Sequence, residues 1–191
     1  MKHIFYHLTA VMVVVVWGMT FISTKVLIVH GLSAQEIFLF RFLLAYAAVC
    51  PISFHRFFAR NLKDELYLVG GGVLGGSLFF FLQNIALGLT QASNVSFIIC
   101  MAPLLTAVLT VLSVRTEKVS RGFIYGSIIA LLGVGLLIFN GSFILRISPL
   151  GDLLTLLASL SWAFYSLVIR SLTRKYSPAF ITLSLIHISE P

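Results

Sequence analysis

Six apolar stretches, each long enough to cross a lipid bilayer, take up most of this 191-residue sequence. A helix crosses the hydrocarbon core with about 20 residues, and lipid offers the backbone no hydrogen-bond partners. Each stretch must therefore be a helix, since none shows the alternation of a membrane β-barrel strand. The predicted spans are residues 8–29, 37–54, 67–89, 95–114, 122–140 and 150–172. The predicted fold class is all-α, a polytopic transmembrane bundle of about six helices.

The composition excludes a soluble domain, which must cover its core with polar side chains. Hydrophobic residues make up 59% of the chain, charged residues make up 10%, and the mean hydropathy is +1.06. The first stretch is too long for the core of a signal peptide, and no small-residue cleavage site follows it. The net charge of +7 does not indicate nucleic acid, because the basic residues lie in short clusters between the apolar stretches.

The basic residues predict the orientation of the chain, because short cytoplasmic loops are enriched in Lys and Arg. The loops on the side of the N-terminus hold ten basic residues, whereas the opposite loops hold only Arg146. The ten are Lys2, Arg56, Arg60, Lys63, Arg115, Lys118, Arg121, Arg170, Arg174 and Lys175. The N-terminus is therefore expected in the cytoplasm.

Small residues and a proline mark the third and fourth spans. Gly71 and Gly75 are four residues apart, and Gly72 and Gly76 repeat the spacing, which lets membrane helices approach to backbone contact. Tight packing is the simpler interpretation, and lining a substrate path is the alternative. Pro103 lies in the middle of the fourth span, where it removes a helical hydrogen bond and predicts a kink. Kinked helices often line the cavity of a transporter.

An internal repeat is visible at an offset of 145 residues, which aligns Trp17 with Trp162. The same offset aligns Lys25 with Arg170, so the aromatic and basic residues are eight apart in both copies. If the sixth span restarts the unit, the first unit has five helices, and the second enters the membrane from the opposite side. The alternative is chance, since Trp and basic residues recur at the ends of membrane spans.

Short motifs that cover nearly the whole chain form a recognisable series. They are Trp17-Gly18-Met19-Thr20-Phe21 with Lys25, Arg41-Phe42, Ala86-Leu87, Thr90, Ala92-Ser93-Asn94, Pro103-Leu104-Leu105-Thr106, Glu117-Lys118, Gly133-Val134, Gly151-Asp152, Trp162-Ala163 and Tyr165. In this order they resemble the EamA-type drug/metabolite transporter superfamily. The resemblance implies two inverted five-helix units that move small metabolites, amino acids or drugs across the cytoplasmic (inner) membrane. The chain departs from the family at Arg115-Thr116, where apolar residues and glycine are usual, and in having one helix of the second unit.

The expected organisation is a complete first unit over residues 8–140 and the start of an inverted second unit over residues 150–182. Residues 183–191 resemble the translation of a transposase adapter used to prepare sequencing libraries, and we expect them to be a scar. The natural sequence is then expected to end near Thr182. On this interpretation the chain is a fragment of a longer gene and does not transport by itself.

Charge is costly within a membrane span, and Lys25 and Arg41 are the two charged candidates for a functional role there. The predicted orientation places both toward the outer leaflet. One interpretation is that both snorkel to the headgroups, with Glu36 as a partner. The alternative is an electropositive outer vestibule that attracts carboxylate or phosphate groups.

Polar and aromatic side chains supply the other candidates for substrate binding. Gln83 and Asn84 lie inside the third span, where they join helices or bind substrate. Asn94 begins the fourth span and is either a helix cap or a site residue. Aromatic residues from both copies of the repeat form the walls of a central site or only pack the bundle. The full set is Trp17, Phe21, Lys25, Arg41, Gln83, Asn84, Asn94, Trp162 and Tyr165.

Signatures of catalysis are missing, since the sequence has no H-E-x-x-H, no G-x-S-x-G and no Walker loop. No enzyme activity, cofactor or metal site is expected. The leading hypothesis is a secondary transporter that exports small molecules by alternating access, and the alternative is a non-transporting membrane scaffold or subunit. Since no buried carboxylate is predicted in the six helices, facilitated exchange is as compatible with the sequence as proton coupling. The expected partners are the lipid bilayer and a small-molecule substrate, with a homodimer left open.

Overall fold

The computed structural model describes residues 2–49, 59, 61–113, 120–139 and 148–189. Within these residues the chain forms seven helices and no strand, which confirms the all-α fold class. Numbered along the chain, the helices are α1 Lys2–Val29, α2 Ala34–Val49, α3 Leu62–Leu89, α4 Ala92–Ser113, α5 Arg121–Phe139, α6 Pro149–Arg170 and α7 Pro178–Ser189.

Helices α1 to α6 correspond to the six predicted spans. Four of them, α1, α3, α4 and α6, are long and apolar enough by themselves to cross a membrane. Their apolar side chains are also left on the surface: Phe5 and Met12 are each 68% exposed, and Leu136 of α5 is 72% exposed. Lipid is the solvent in which such a surface is stable, so the helices form a membrane bundle.

Helix α7 is not among the predicted spans. It begins at Pro178, whose fixed backbone angle suits the first helical position, and the Ser177 hydroxyl accepts a hydrogen bond from the Phe180 amide. The helix contains part of the 183–191 segment that the sequence assigns to a scar. That assignment, like the boundaries of the two units, stays a prediction.

Helix α6 runs antiparallel to both α1 and α3. Lys25, near the end of α1, donates hydrogen bonds to carbonyl groups at the end of α3. Thr90, directly after α3, donates to Asp152 in the first turn of α6. At the opposite end, Ile169 in the last turn of α6 packs with Leu68 of α3. We call these the Thr90 end and the Asp64 end of the bundle. Thr90 directly follows α3, and Asp64 lies in the first turn of α3.

Helix α3 is widened in its middle, where Gly72–Leu78 forms a π-helical segment. A Cβ atom on Gly75 would overlap the ring of Tyr165, and one on Gly71 would lie 2.8 Å from Cδ1 of Ile169. Both neighbours belong to α6, so these glycines lie where α6 approaches α3 most closely. Gly72 makes a similar approach to α7.

Helix α4 is broken at Cys100 and Met101, which separate the helical segments Ala92–Ile99 and Ala102–Ser113. The Met101 amide donates to the Ile98 carbonyl over 3.0 Å, a tighter turn than that of an α-helix. Pro103 follows two residues after Met101. Its nitrogen has no hydrogen to donate to the Ile99 carbonyl, and its ring crowds that carbonyl. The break therefore coincides with the position where the sequence predicts a kink.

Candidate functional site

An apolar cavity of about 440 Å³ lies between α1, α4, α5 and α6. This volume is typical of pockets that hold small organic molecules. The broken part of α4 forms one wall, and aromatic rings of α1 and α6 form another. The cavity is lined in part by Trp17, Phe21, Ser96, Pro103, Ser127 and Trp162.

The aromatic wall joins the two aligned tryptophans of the sequence repeat. The ring centroids of Trp17 and Trp162 are 5.7 Å apart, and Phe21 lies 6.4 Å from Trp17. Tyr165, one turn further along α6, lies 5.1 Å from Trp162. The structure thus brings together the four aromatic residues that the sequence singles out.

Phe79 belongs to the same aromatic group, although the sequence gives it no special weight. Its ring is fully buried and lies 4.8 Å from that of Trp162. It is one of three consecutive phenylalanines, and hydropathy cannot tell which of them faces inward. The helical spacing of Gly75, Phe79 and Gln83 is the signal that could have placed it on the α6 side.

Trp162 also borders a second cavity of about 180 Å³, on the side of α2, α3 and α7. Phe42 and Phe80 line this cavity. Gly76, the fourth glycine of the predicted pairs, lines it too. The Trp162 ring therefore separates two cavities in the middle of the bundle.

Lys25 does not extend to lipid in this structure. Its Nζ donates to the carbonyl oxygens of Leu87 and Thr90 over 2.5 and 2.9 Å, at the end of α3. These carbonyls have no intrahelical donor, and a cation there is favoured by the helix dipole. The ammonium group of Lys25 thus caps α3.

Glu36 is the partner of Ser33 rather than of Lys25 or Arg41. Its Oε2 accepts hydrogen bonds from the Ser33 amide and hydroxyl over 2.8 and 2.7 Å, and the Glu36 amide donates to the Ser33 hydroxyl. This reciprocal capping box fixes the start of α2. The backbone hydrogen bond from Ser33 holds the pKa of Glu36 below its ordinary value, and the hydroxyl adds to this effect.

A hydrogen-bonded chain joins α4 to α6 at the Thr90 end. Asn94 Nδ2 donates to Thr90 Oγ1 over 3.4 Å, and Thr90 Oγ1 donates to Asp152 Oδ1 over 3.3 Å. Asp152 Oδ2 also accepts from the Ser148 amide. We call Lys25 and these four residues the Thr90 network. Since α4 begins one turn earlier, with Gln91 as its N-cap, Asn94 connects helices instead of capping one.

Gln83 and Asn84 are fully buried amides in α3. Asn84 Nδ2 donates to the carbonyl of Ala34 at the start of α2 over 3.3 Å. Within the described ranges, however, Asn84 Oδ1 and both polar atoms of Gln83 have no hydrogen-bond partner. Buried polar atoms without partners are costly, so they mark places where a ligand or water is favoured.

The geometry agrees with the comparison of the sequence with known families. The sequence model of the EamA-like transporter family matches residues 4–139, which contain the α1, α4 and α5 walls of the larger cavity. The chain belongs to the EamA-like transporter family. It is therefore a multi-pass membrane protein of the drug/metabolite transporter superfamily. Neither a curated protein nor a solved structure matches the chain significantly.

In this EamA-like transporter, Arg41 lies on α2 beside the second cavity. Its guanidinium carbon is 4.7 Å from the centre of the Phe80 ring, a cation–π contact. Its Nη1 is buried and lacks a hydrogen-bond partner in the described part of the chain. The structure therefore distinguishes the two half-buried cations, because Lys25 donates to two backbone carbonyls, whereas Nη1 of Arg41 has no partner in the described residues.

The Asp64 end of the transporter holds a buried carboxylate that no pattern in the sequence singles out. Lys175 Nζ forms a salt bridge with Asp64 Oδ1 over 2.7 Å, and Tyr176 Oη donates to Oδ2 over 3.0 Å. Asn61 Nδ2 lies 3.4 Å from the same oxygen. We call these four residues the Asp64 network. The hydrogen bond to Asp64 raises the pKa of Lys175 above its ordinary value.

Proposed function

We propose that this EamA-like chain is part of a secondary transporter that exports small molecules by alternating access. The observation that carries the proposal is the 440 Å³ apolar cavity between α1 and α6, walled by Trp17 and Trp162. These helices run in opposite directions, as an inverted repeat requires. A site between two inverted elements can face either side of the membrane when one element rocks against the other.

The N-terminus lies in the cytoplasm in this proposal, and the membrane is the cytoplasmic (inner) membrane. The support is the excess of Lys and Arg in the loops on the N-terminal side. The Asp64 end then faces the cytoplasm and the Thr90 end faces outward. Residues 8–140 form the first unit, and α6 begins the inverted second unit.

The cavity walls favour a substrate with an apolar or aromatic face. Of the two hydroxyl groups at the walls, that of Ser96 already donates to the Ala92 carbonyl in its own helix. Stacking on tryptophan therefore contributes more to binding than hydrogen bonds do. The chain acts by binding and movement in this proposal, without catalysis.

A flux assay on the complete gene tests the proposal. The purified product in proteoliposomes should export some members of a panel of amino acids, organic acids and lipophilic cations. Replacing Trp162 by Ala should lower the export rate roughly tenfold, since about 1.4 kcal/mol of aromatic contact is lost. Phe164→Ala is the matched control, because Phe164 lies on the same helix but is 47% exposed.

Two outcomes would contradict the proposal. The first is absence of flux for every member of the panel. The second is equal flux in the Trp162→Ala and wild-type proteins. A stable complex with another membrane protein, together with either outcome, would favour the non-transporting scaffold instead.

A further inference from the structure

The charge of Arg41 is not balanced by any carboxylate that the structure describes. The chain has six acidic residues. Four are engaged elsewhere: Glu36 with Ser33, Asp64 with Lys175, Glu65 with the Ala59 amide and Asp152 with Ser148. The other two, Glu117 and Glu190, lie outside the described residues. A guanidinium whose buried Nη1 has no acceptor among the described residues therefore remains between α2 and α3.

The interface that holds Arg41 also holds an unfilled acceptor. Asn84 lies one helical turn beyond Phe80 on α3, and its Nδ2 is fixed by the Ala34 carbonyl of α2. Side chains tilt toward the start of their helix, which carries the Arg41 side chain in the direction of Ala34. The buried Nη1 of Arg41 and Oδ1 of Asn84 thus belong to the same α2–α3 interface.

A donor and an acceptor left open in one interface define the ligand that would fill them. Nη1 of a guanidinium favours an anionic oxygen, as in a carboxylate or phosphate. Oδ1 of an amide accepts only a hydrogen-bond donor, such as a hydroxyl or N–H group. Lys25 cannot take the place of Arg41, because two backbone carbonyls occupy its ammonium group.

We propose that the α2–α3 interface binds the anionic group of a small organic acid through Arg41, and a neighbouring donor of that acid through Asn84. The inference deepens the proposed function by naming an anionic substrate class for the Phe80 side of the bundle. A phospholipid headgroup carries the same chemistry. The test therefore measures binding instead of flux, and it separates soluble from lipid anions.

The first experiment follows thermal unfolding of the full chain by tryptophan fluorescence in phosphatidylcholine nanodiscs. Sodium phosphate or sodium lactate should raise the melting temperature by about 2 to 4 °C over sodium chloride at equal ionic strength. Acetate, which lacks a hydroxyl group, should raise it less than lactate. Asn84→Leu should remove the difference between lactate and acetate.

Two variants of Arg41 locate the effect. Arg41→Gln should abolish the anion-induced shift, and Arg41→Lys should weaken anion affinity roughly tenfold, because a lysine loses the planar pair of donors. The lysine variant keeps the charge, so it remains informative if the glutamine variant does not fold. Arg174→Gln makes the same charge change at an exposed site of the Asp64 end and should keep the full shift.

The second experiment uses nanodiscs that contain phosphatidylglycerol, with the lipids retained on the protein counted by native mass spectrometry. Retention that depends on Arg41, without a shift by soluble anions, identifies a headgroup as the ligand. A shift by lactate or phosphate that depends on Arg41 identifies a soluble acid. If the wild type, Arg41→Gln and Arg41→Lys give the same result in both experiments, the site does not exist.

Discussion

The two ends of the bundle hold α6 against α3 by different means. At the Thr90 end the link is a hydroxyl, with Thr90 Oγ1 and Asp152 Oδ1 3.3 Å apart. At the Asp64 end two donors, Lys175 Nζ and Tyr176 Oη, reach one buried carboxylate over 2.7 and 3.0 Å. Both links end on a carboxylate, but hydrogen bonds weaken as they lengthen, and only the Asp64 end has a cationic donor. The Asp64 end is therefore held more strongly.

This difference indicates which end of the bundle opens more easily. Lys25 strengthens the Thr90 end, but it joins α1 to α3 and does not restrain α6. In alternating access one end separates while the other stays closed. We expect the Thr90 end to separate first, with the Asp64 network as the anchor about which α6 moves.

The largest effect is expected midway between the ends, at Gly75. Gly75→Ala places a methyl group in the Tyr165 ring, and overpacking of this kind costs about 2 kcal/mol. The melting temperature in detergent should fall by about 4 to 8 °C. Gly18→Ala is the control, because nothing lies within 4 Å of its added carbon. An unchanged melting temperature for Gly75→Ala would mean that α6 does not pack tightly against α3 at this position.

The next effect is expected at the Asp64 end. Asp64→Asn removes the charge that Lys175 and Tyr176 share, and the melting temperature should fall by roughly 5 °C. Lys175→Gln should act similarly, and the double variant should fall by less than the sum, since both remove one interaction. Arg174→Gln, beside the network but exposed, should change little. Additive effects would show that the ion pair contributes nothing.

A smaller effect is expected at the Thr90 end from Asp152→Asn. The amide oxygen can still accept from Thr90 or Ser148, so the loss is about 1 kcal/mol, or about 2 to 4 °C. Unfolding in the same detergent allows direct comparison with Asp64→Asn. A fall larger than that of Asp64→Asn would reverse the order of the two ends.

The smallest effect on stability is expected from Thr90→Val, which keeps the side-chain shape and removes two long hydrogen bonds, one to Asp152 and one from Asn94. The free energy of unfolding should change by less than about 1 kcal/mol. Opening at this end should nevertheless become more frequent, so maleimide should label Cys100, in the cavity wall, roughly two to five times faster. The experiment uses a background that lacks Cys50. A labelling rate that matches the wild type would show that the Thr90 hydroxyl does not help to hold this end closed.

The candidate site could be predicted in part. Trp17 and Trp162 stand out because tryptophan is rare and their spacing to a basic residue repeats, and the structure places their rings in contact. Phe79 lies in the same region without a comparable signal. Hydropathy reports burial in lipid, and it does not report which side of a buried helix meets another helix. The roles of these residues in substrate binding stay predictions.

Electrostatic pairing is where the sequence is least informative. Lys25 and Arg41 look equivalent as charges within spans, yet one caps a helix and the other is left with an open donor. Glu36 lies between Lys25 and Arg41 in the sequence, but it pairs with neither. Its carboxylate accepts a hydrogen bond from the Ser33 hydroxyl, three residues before it. The local capping hydrogen bond is favoured over a distant ion pair because it orders almost no additional chain.

The sequence by itself determined the membrane class, the positions of the six apolar helices and the family, because these depend on local hydropathy and on short motifs. Tertiary structure decided that α6 lies antiparallel to α3, that α4 breaks into a cavity wall, and that the ends are held unequally. The Asp64 network joins residues 111 positions apart, and the Thr90 link joins residues 62 apart. No local pattern encodes such pairs, since they form only when the helices pack.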